Sequence, residues 1–159
     1  MFDRLCPPII DNSYRGSKVA LWILGLVVGV KATQSLMIIF NGHRTAIDAD
    51  GIPLDTYPAA AAQTMLALFA QGSLWRLLFC VVGAVVVVRY RAAVPLMLAL
   101  FLLQYLASQV VLQFVPLVRE GTPPGPIANM ILGALMVVGL VLSLRRRATS
   151  AGVSNRDDR

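Results

Sequence analysis

Four long apolar runs divide the chain, and short polar stretches separate them. The runs cover residues 19–40, 60–88, 94–115 and 127–144. Each run is long enough to cross the ~30 Å hydrocarbon layer of a bilayer as an α-helix. The connecting stretches carry charges, Pro or Gly, which end one helix before the next begins. The pattern predicts an all-α fold: an integral membrane antiparallel four-helix bundle formed by a single domain of residues 1–144.

The composition supports a membrane protein over a soluble one. Hydrophobic residues make up 57% of the 159 residues and charged residues only 14%, with a mean hydropathy of +0.72. So few polar residues could not cover the surface of a soluble domain of this length. Residues 145–159, RRRATSAGVSNRDDR, are the exception, and this composition predicts a basic, disordered tail.

The net charge of +6 is distributed unevenly between the two ends of the spans. Only Arg44 and Arg119 flank the spans on one side. The ten flanking cations on the other side are Arg4, Arg15, Lys18, Arg89, Arg91, Arg145, Arg146, Arg147, Arg156 and Arg159. This asymmetry follows the positive-inside rule and predicts a multi-pass protein with both termini in the cytoplasm. Because the charges flank spans and do not follow one face, we expect no nucleic-acid partner.

Three polar residues within the spans lie at the same predicted depth. Lys31 is thirteen residues after Lys18, Arg76 thirteen before Arg89, and Gln104 thirteen after Arg91. At ~1.5 Å per helical residue, all three lie about 20 Å from the cytoplasmic boundary. The spacing therefore predicts a polar layer in the outer half of the bilayer.

Helical spacing extends this layer into a candidate ligand-binding pocket that opens outward. Gln34 and Ser35 follow Lys31 by three and four residues and so share its helix face. The predicted pocket residues are Lys31, Gln34, Ser35, Arg76, Gln104, Tyr105, Ser108 and Asn129. The first loop is expected to cap the pocket with Asp48, Asp50 and Asp55.

Several explanations account for two cations inside the spans, each of which costs about 2.5–3.5 kcal/mol at a helix centre. The side chains could snorkel to the interface or pair with an aspartate of the first loop. Lys31 could be neutral, because burial lowers a lysine pKa. An anionic small molecule or lipid headgroup could bind between them, or they could belong to a conducting or proton-relay path. The sequence leaves these alternatives open.

Small residues in the spans predict close helix packing, since they let backbones approach. The predicted packing positions are Gly25, Gly29, Gly83 and Gly133. The Gly25/Gly29 face of the first span and the Gly133 face of the fourth suggest a second function, in which the protein is an accessory subunit that docks onto a larger membrane complex. A third hypothesis is a small homo-oligomeric transporter whose polar residues line a shared pore.

No motif predicts an enzyme, a metal site or a cofactor. His43 is the only histidine, which excludes a histidine-based metal cluster within this chain. The stretch DADG at residues 48–51 resembles the start of a calcium loop, but alanines follow where an EF-hand needs oxygen ligands. Cys6 and Cys80 lie at different predicted depths, so we expect no disulfide between them.

Several stretches resemble a group of small four-helix bacterial inner-membrane proteins to which no function is assigned. They are FDRLCPPIIDNSYRG, FNGHRTAIDADGIPLDTY, LVRYR and GTPPGP, so the resemblance covers most of the chain. It implies the bacterial inner (cytoplasmic) membrane and carries over no catalytic residue. The chain is also similar to DoxX-like proteins, though only in its number of spans.

Overall fold

A computed structural model describes residues 17–144, which form an all-helical structure. Cys6 and the predicted tail lie outside the described residues. The helices are α1 (Lys18–Phe40), α2 (Gly42–Asp48), α3 (Ala59–Arg89), α4 (Val94–Phe114) and α5 (Pro124–Leu144), with single 3₁₀ turns at Leu54–Thr56 and Arg91–Ala93.

The helix ends follow local sequence signals. Ser17 precedes α1, and its hydroxyl oxygen accepts a hydrogen bond of 3.3 Å from the backbone N–H of Val19. Pro58 stands directly before α3 and Pro95 lies in the first turn of α4. Pro124 is the first residue of α5. Proline suits these positions because the first turn of a helix has no intrahelical use for its N–H groups.

Four of the helices, α1, α3, α4 and α5, are long and apolar enough to cross a membrane. Their exposed faces carry large apolar side chains, among them Trp22 and Phe114 at 77% and 81% exposure. Small polar side chains such as Ser73 and Ser143 are buried instead. An apolar surface this extensive suits lipid and not water. The prediction of an all-α fold with four membrane-spanning helices is confirmed.

Helix α1 lies against both α3 and α5. In each pair, residues further along α1 contact residues earlier in the other helix. Val28 lies 2.7 Å from where a Cβ would stand on Gly83. Leu66, earlier in α3, lies beside Gly42, which follows the end of α1 by two residues. Towards α5, Ile23 lies beside Gly139, whereas Lys31 meets Asn129. The contacts between α4 and α5 show the same reversal.

The apolar core occupies one end of the bundle. It joins Leu24 and Val27 of α1 to Cys80, Leu98 and Met136 of the other helices. The rings of Phe79 and Phe101 meet edge to face, with centroids 4.7 Å apart, at the outer limit of this core. The core therefore closes the end of the bundle that is predicted to be cytoplasmic.

A second, smaller apolar cluster forms at the opposite end. Ala46, Ile52 and Leu54 are buried against Met65 and Leu66 in the first turns of α3. The hydrophobic pattern predicts no helix between the first two spans, but this segment contains α2 and a 3₁₀ turn. Burial of these three apolar residues against α3 favours ordered structure there.

Candidate functional site

A cavity of about 1110 Å³ lies between the two apolar clusters. Seven of the eight residues predicted to form a pocket line it: Lys31, Gln34, Arg76, Gln104, Tyr105, Ser108 and Asn129. The eighth, Ser35, is completely buried and does not line the cavity. All four long helices contribute to the wall, so the cavity is a property of the bundle and not of one helix.

Lys31 is held in the cavity wall by an amide. Its side chain is buried, with 9% exposure, and its Nζ donates a 2.6 Å hydrogen bond to Oδ1 of Asn129. No carboxylate among residues 17–144 lies within 4.0 Å of the ammonium. The salt bridge considered from the sequence therefore does not occur among the described residues.

Arg76 lines the same cavity from α3 and is half-buried. Within the described part of the chain, its guanidinium has neither an ion-pair partner nor a hydrogen-bond acceptor. Arg76 and Lys31 therefore place two positive charges on the wall of one cavity. Like charges repel, so this arrangement favours a bound anion beside them.

Two oxygens close to Lys31 also lack partners. Oε1 of Gln34 and Oγ of Ser35 are buried and have no hydrogen-bond partner among residues 17–144. Buried polar atoms are nearly always hydrogen-bonded in proteins, so unpaired ones are informative. Gln34 faces the cavity, where a bound molecule can satisfy its oxygen.

Helix α4 gives the cavity a polar side. Gln104, Tyr105, Ser108 and Gln109 line it over two turns. The Ser108 hydroxyl donates a 2.8 Å hydrogen bond to the carbonyl of Tyr105. Gln109 follows Tyr105 by the four residues of one helical turn, and the spacing places both on the same face of α4.

The first loop covers the outer end of the cavity, but only two of its three aspartates face inward. Asp48 and Asp50 line the cavity, and Oδ2 of Asp48 accepts a 3.2 Å bond from Nε of Arg44. Asp55 points away: it is 78% exposed and lies 3.5 Å from Nε2 of His43. The 3₁₀ turn explains this, since it buries Leu54 and turns the next residue outward.

Two backbone hydrogen bonds tie the first loop (residues 41–58) to the third loop (residues 115–123) and to the first turn of α5. The N–H of Glu120 donates to the carbonyl of Gly51, and the N–H of Gly125 donates to that of Ala49, both at 2.8 Å. Gly51 has a φ of 69° and lies 2.8 Å from the Glu120 carbonyl oxygen when a Cβ is built on it. Only glycine meets both requirements, the left-handed backbone and the close approach.

This loop junction also introduces a charged group that sequence reasoning missed, the cavity-lining Arg119. Burial raises the pKa of the nearby Asp50 carboxyl, while the positive charges of Arg119 and Arg76 act in the opposite direction. Arg119 precedes a loop rich in Pro and Gly, whose path no periodicity predicts.

The four predicted packing glycines fall into two classes. A Cβ on Gly83 would stand 2.7 Å from Val28, and one on Gly133 would stand 2.6 Å from the ring of Tyr105. Gly25 and Gly29 have no atom within 4 Å of their Cβ positions. Close packing inside the described chain therefore involves Gly83 and Gly133, while Gly25 and Gly29 make no such contact.

Comparisons with known proteins add nothing to this geometry. No protein-family model, no curated protein and no solved structure matches the chain. Within residues 17–144 no group of three or more His, Cys, Asp or Glu side chains is arranged to hold a metal ion. The cavity lining combines four cations (Lys31, Arg44, Arg76 and Arg119), two aspartates (Asp48 and Asp50), several amides and hydroxyls, and apolar side chains.

Proposed function

We propose that this integral membrane protein binds an anionic group, a carboxylate or a phosphate, in the cavity between its helices. The observation that supports this most strongly is the pair Lys31 and Arg76. Both line one cavity, and neither has a carboxylate partner among the described residues. The proposal assigns binding, and it gives no cavity residue a chemical step.

The energetics favour a bound anion over an empty pair of cations. Each cation costs about 2.5–3.5 kcal/mol at the centre of a membrane helix, and mutual repulsion adds to this cost. An anion between Lys31 and Arg76 attracts both cations and so offsets their mutual repulsion. Arg76 supplies a planar fork that suits two oxygens, and Lys31 supplies a point charge already oriented by Asn129.

Hydrogen-bonding groups around the cations suit an oxygen-rich ligand that also carries hydroxyl or amide groups. Gln34 and Gln104 each present an amide to the cavity, and the amide carbonyl of Gln34 is without a partner in residues 17–144. A carboxylate or phosphate accepts from the amide N–H groups, and a ligand hydroxyl donates to the free carbonyl.

The setting we propose is a bacterial inner membrane, with both termini in the cytoplasm and the cavity in the outer half of the bilayer. The excess of cations at one end of the spans supports this orientation. The resemblance described above supports the bacterial membrane. The covering loops then face the periplasm.

Native mass spectrometry of gently extracted protein tests the proposal. Lys31 and Lys18 are the only lysines in the chain, so Lys18→Gln is a matched control for Lys31→Gln. We expect an anionic adduct on wild type and on Lys18→Gln, with occupancy at least about ten-fold lower on Lys31→Gln. A hydrogen bond to a charged group contributes about 1.5–3 kcal/mol, which corresponds to this change.

Arg76→Gln tests the second cation in the same experiment, and we expect it to lower the occupancy of the anionic adduct as Lys31→Gln does. Wild-type protein without any adduct would contradict the proposal, as would an adduct that both lysine variants retain equally. Circular dichroism of each variant establishes that the helices are intact.

A further inference from the structure

The cavity has an opening in its side, between α3 and α4. On α4, Phe101, Gln104, Ser108 and Val111 follow the spacing of one helix face. At Phe101 this face is closed by Phe79 of α3, with ring centroids 4.7 Å apart. One to two turns further out, Gln104 and Ser108 are exposed although they line the cavity.

Helix α3 diverges from α4 over the same turns. Arg76 is only half-buried, and Gly72, one turn beyond it, is exposed with no atom within 4 Å of its Cβ position. The two helices therefore separate beyond Phe79 and Phe101. We name the resulting gap the lateral opening, and define its rims by Gly72 and Arg76 on α3 and by Gln104 and Ser108 on α4.

The lateral opening faces the region where the apolar helix surfaces indicate lipid. The outer end of the cavity is covered instead by the first loop, which two backbone hydrogen bonds join to the third. A molecule that reaches the cavity through the side comes from the bilayer, and a molecule dissolved in water has to pass the joined loops.

The cavity lining is divided along the bundle axis. Lys31, Arg76 and Asn129 lie at its inner end, beside the core. Further out, part of the wall is apolar, and the other part carries the charged loop residues Asp48, Asp50 and Arg119. The apolar part is formed by Met37, Ile38, Phe69, Val111, Leu112 and Met130. A small hydrated anion gains no free energy from contact with these apolar side chains, whereas a hydrocarbon chain is stabilised by packing against them.

The size of the cavity also favours a larger ligand. Its volume of about 1110 Å³ lies above the ~300–1,000 Å³ typical of pockets for small molecules. An inorganic phosphate would occupy a small fraction of this space and leave the apolar wall without contacts.

We propose that the ligand is an anionic amphiphile, a lipid with a carboxylate or phosphate headgroup, which enters from the bilayer through the lateral opening. Its headgroup binds Lys31 and Arg76, and its hydrocarbon chain lies along the apolar wall and out through the opening. This inference rests on the proposed anion-binding function and names its ligand class and route.

A titration followed by native mass spectrometry tests the inference on the full chain. The probes are phosphatidylglycerol, phosphatidylcholine with the same acyl chains, and inorganic phosphate. Ser108→Trp narrows the lateral opening without removing a cation. Ala107→Trp is the matched control, because Ala107 is exposed on the same helix but does not line the cavity.

We expect phosphatidylglycerol to bind wild type and Ala107→Trp at least about ten-fold more tightly than Ser108→Trp or Lys31→Gln. Phosphatidylcholine should bind all four proteins weakly and equally, because it lacks net negative charge. Gly72→Phe repeats the test from the opposite rim, so that a folding defect of Ser108→Trp alone does not decide the result.

The remaining outcomes separate the two proposals. Phosphate binding that requires Lys31, without preference for phosphatidylglycerol over phosphatidylcholine, would overturn the amphiphile and leave anion binding intact. Phosphatidylglycerol binding that requires Lys31 but is unaffected by both rim variants would overturn the lateral route. Binding of neither anion in a Lys31-dependent manner would overturn both proposals.

Discussion

The ammonium of Lys31 is held by the Asn129 amide and by no carboxylate of residues 17–144. Whether the partner of Lys31 is an amide or a carboxylate determines the net charge that the site presents to a ligand. A carboxylate at this position would neutralise the lysine and leave no net charge for a ligand. The amide fixes the direction of the ammonium and leaves its charge available to the cavity.

Asn129→Asp tests this distinction at a single residue. The new carboxylate lies within hydrogen-bond distance of Nζ, so we expect the melting temperature in detergent to stay the same or rise and anion occupancy to fall at least about ten-fold. Gln109→Glu is the control, because it adds the same charge to the cavity wall from α4, away from the Lys31–Asn129 bond. Equal occupancy in Asn129→Asp and wild type would show that the net charge at Lys31 does not govern binding.

Counting residues along each predicted helix identified seven of the eight predicted pocket residues correctly as cavity-lining. Equal distance from the cytoplasmic charges grouped Lys31, Arg76 and Gln104, and all three line it. The same counting placed Ser35 in the pocket, but Ser35 is buried outside the lining. A helix face is about a hundred degrees wide, and the sequence does not determine which side of that face turns to a neighbour and which to a cavity.

Between elements, glycine marks two different situations in this bundle. Gly83 and Gly133 lie where a side chain of another helix leaves no room for a Cβ. Gly25 and Gly29 are four residues apart, a spacing that favours close helix packing, but open space surrounds their Cβ positions. Composition and spacing predict both pairs equally, because the distinction depends on which helix lies opposite.

Alanine substitution separates the two situations. Gly83→Ala places a Cβ 2.7 Å from Val28 and 3.2 Å from the ring of Phe101, and overpacking of this kind costs about 1–3 kcal/mol. Gly29→Ala meets no atom and gains helix propensity, worth up to about 1 kcal/mol. We expect thermal unfolding in detergent to show a lower midpoint for Gly83→Ala and an equal or higher one for Gly29→Ala.

The reverse order of midpoints would contradict the helix packing described here. A loss of stability in Gly29→Ala alone would instead indicate that a second protein covers that face of α1 in the extracted sample. Size-exclusion chromatography of the same sample shows whether such a partner is present.

Across the whole molecule, the two ends of the bundle differ in chemistry. The end predicted to be cytoplasmic is filled by the apolar core around Leu24, Leu98 and Met136. The other end contains the cavity and is covered by the joined loops. The periodicity of the sequence predicted four helices but not this division, because the core and the cavity depend on how far α3 and α4 diverge.

The orientation of this asymmetric bundle is testable with a thiol reagent that does not cross membranes. In a Cys6→Ser background, Thr122→Cys places a thiol in the exposed third loop, and Ser150→Cys places one in the tail. The remaining cysteine, Cys80, is buried. We expect intact cells to be labelled at position 122, and at position 150 only after permeabilisation. Labelling in the opposite order would place the cavity on the cytoplasmic side.

The chain joins α3 to α4 through the short turn at Arg91–Ala93. At the other end of the bundle, the bonds from Glu120 to Gly51 and from Gly125 to Ala49 join the loop before α3 to the loop after α4 and to the start of α5. The lateral opening is therefore bounded on four sides, by α3, by α4, by the short turn and by the joined loops. For the anionic amphiphile proposed above, these boundaries limit the thickness of the chain that passes between the helices but not its length, because the protruding part stays in the surrounding lipid. The geometry therefore predicts binding of ligands with a single slender chain, whatever the length of that chain.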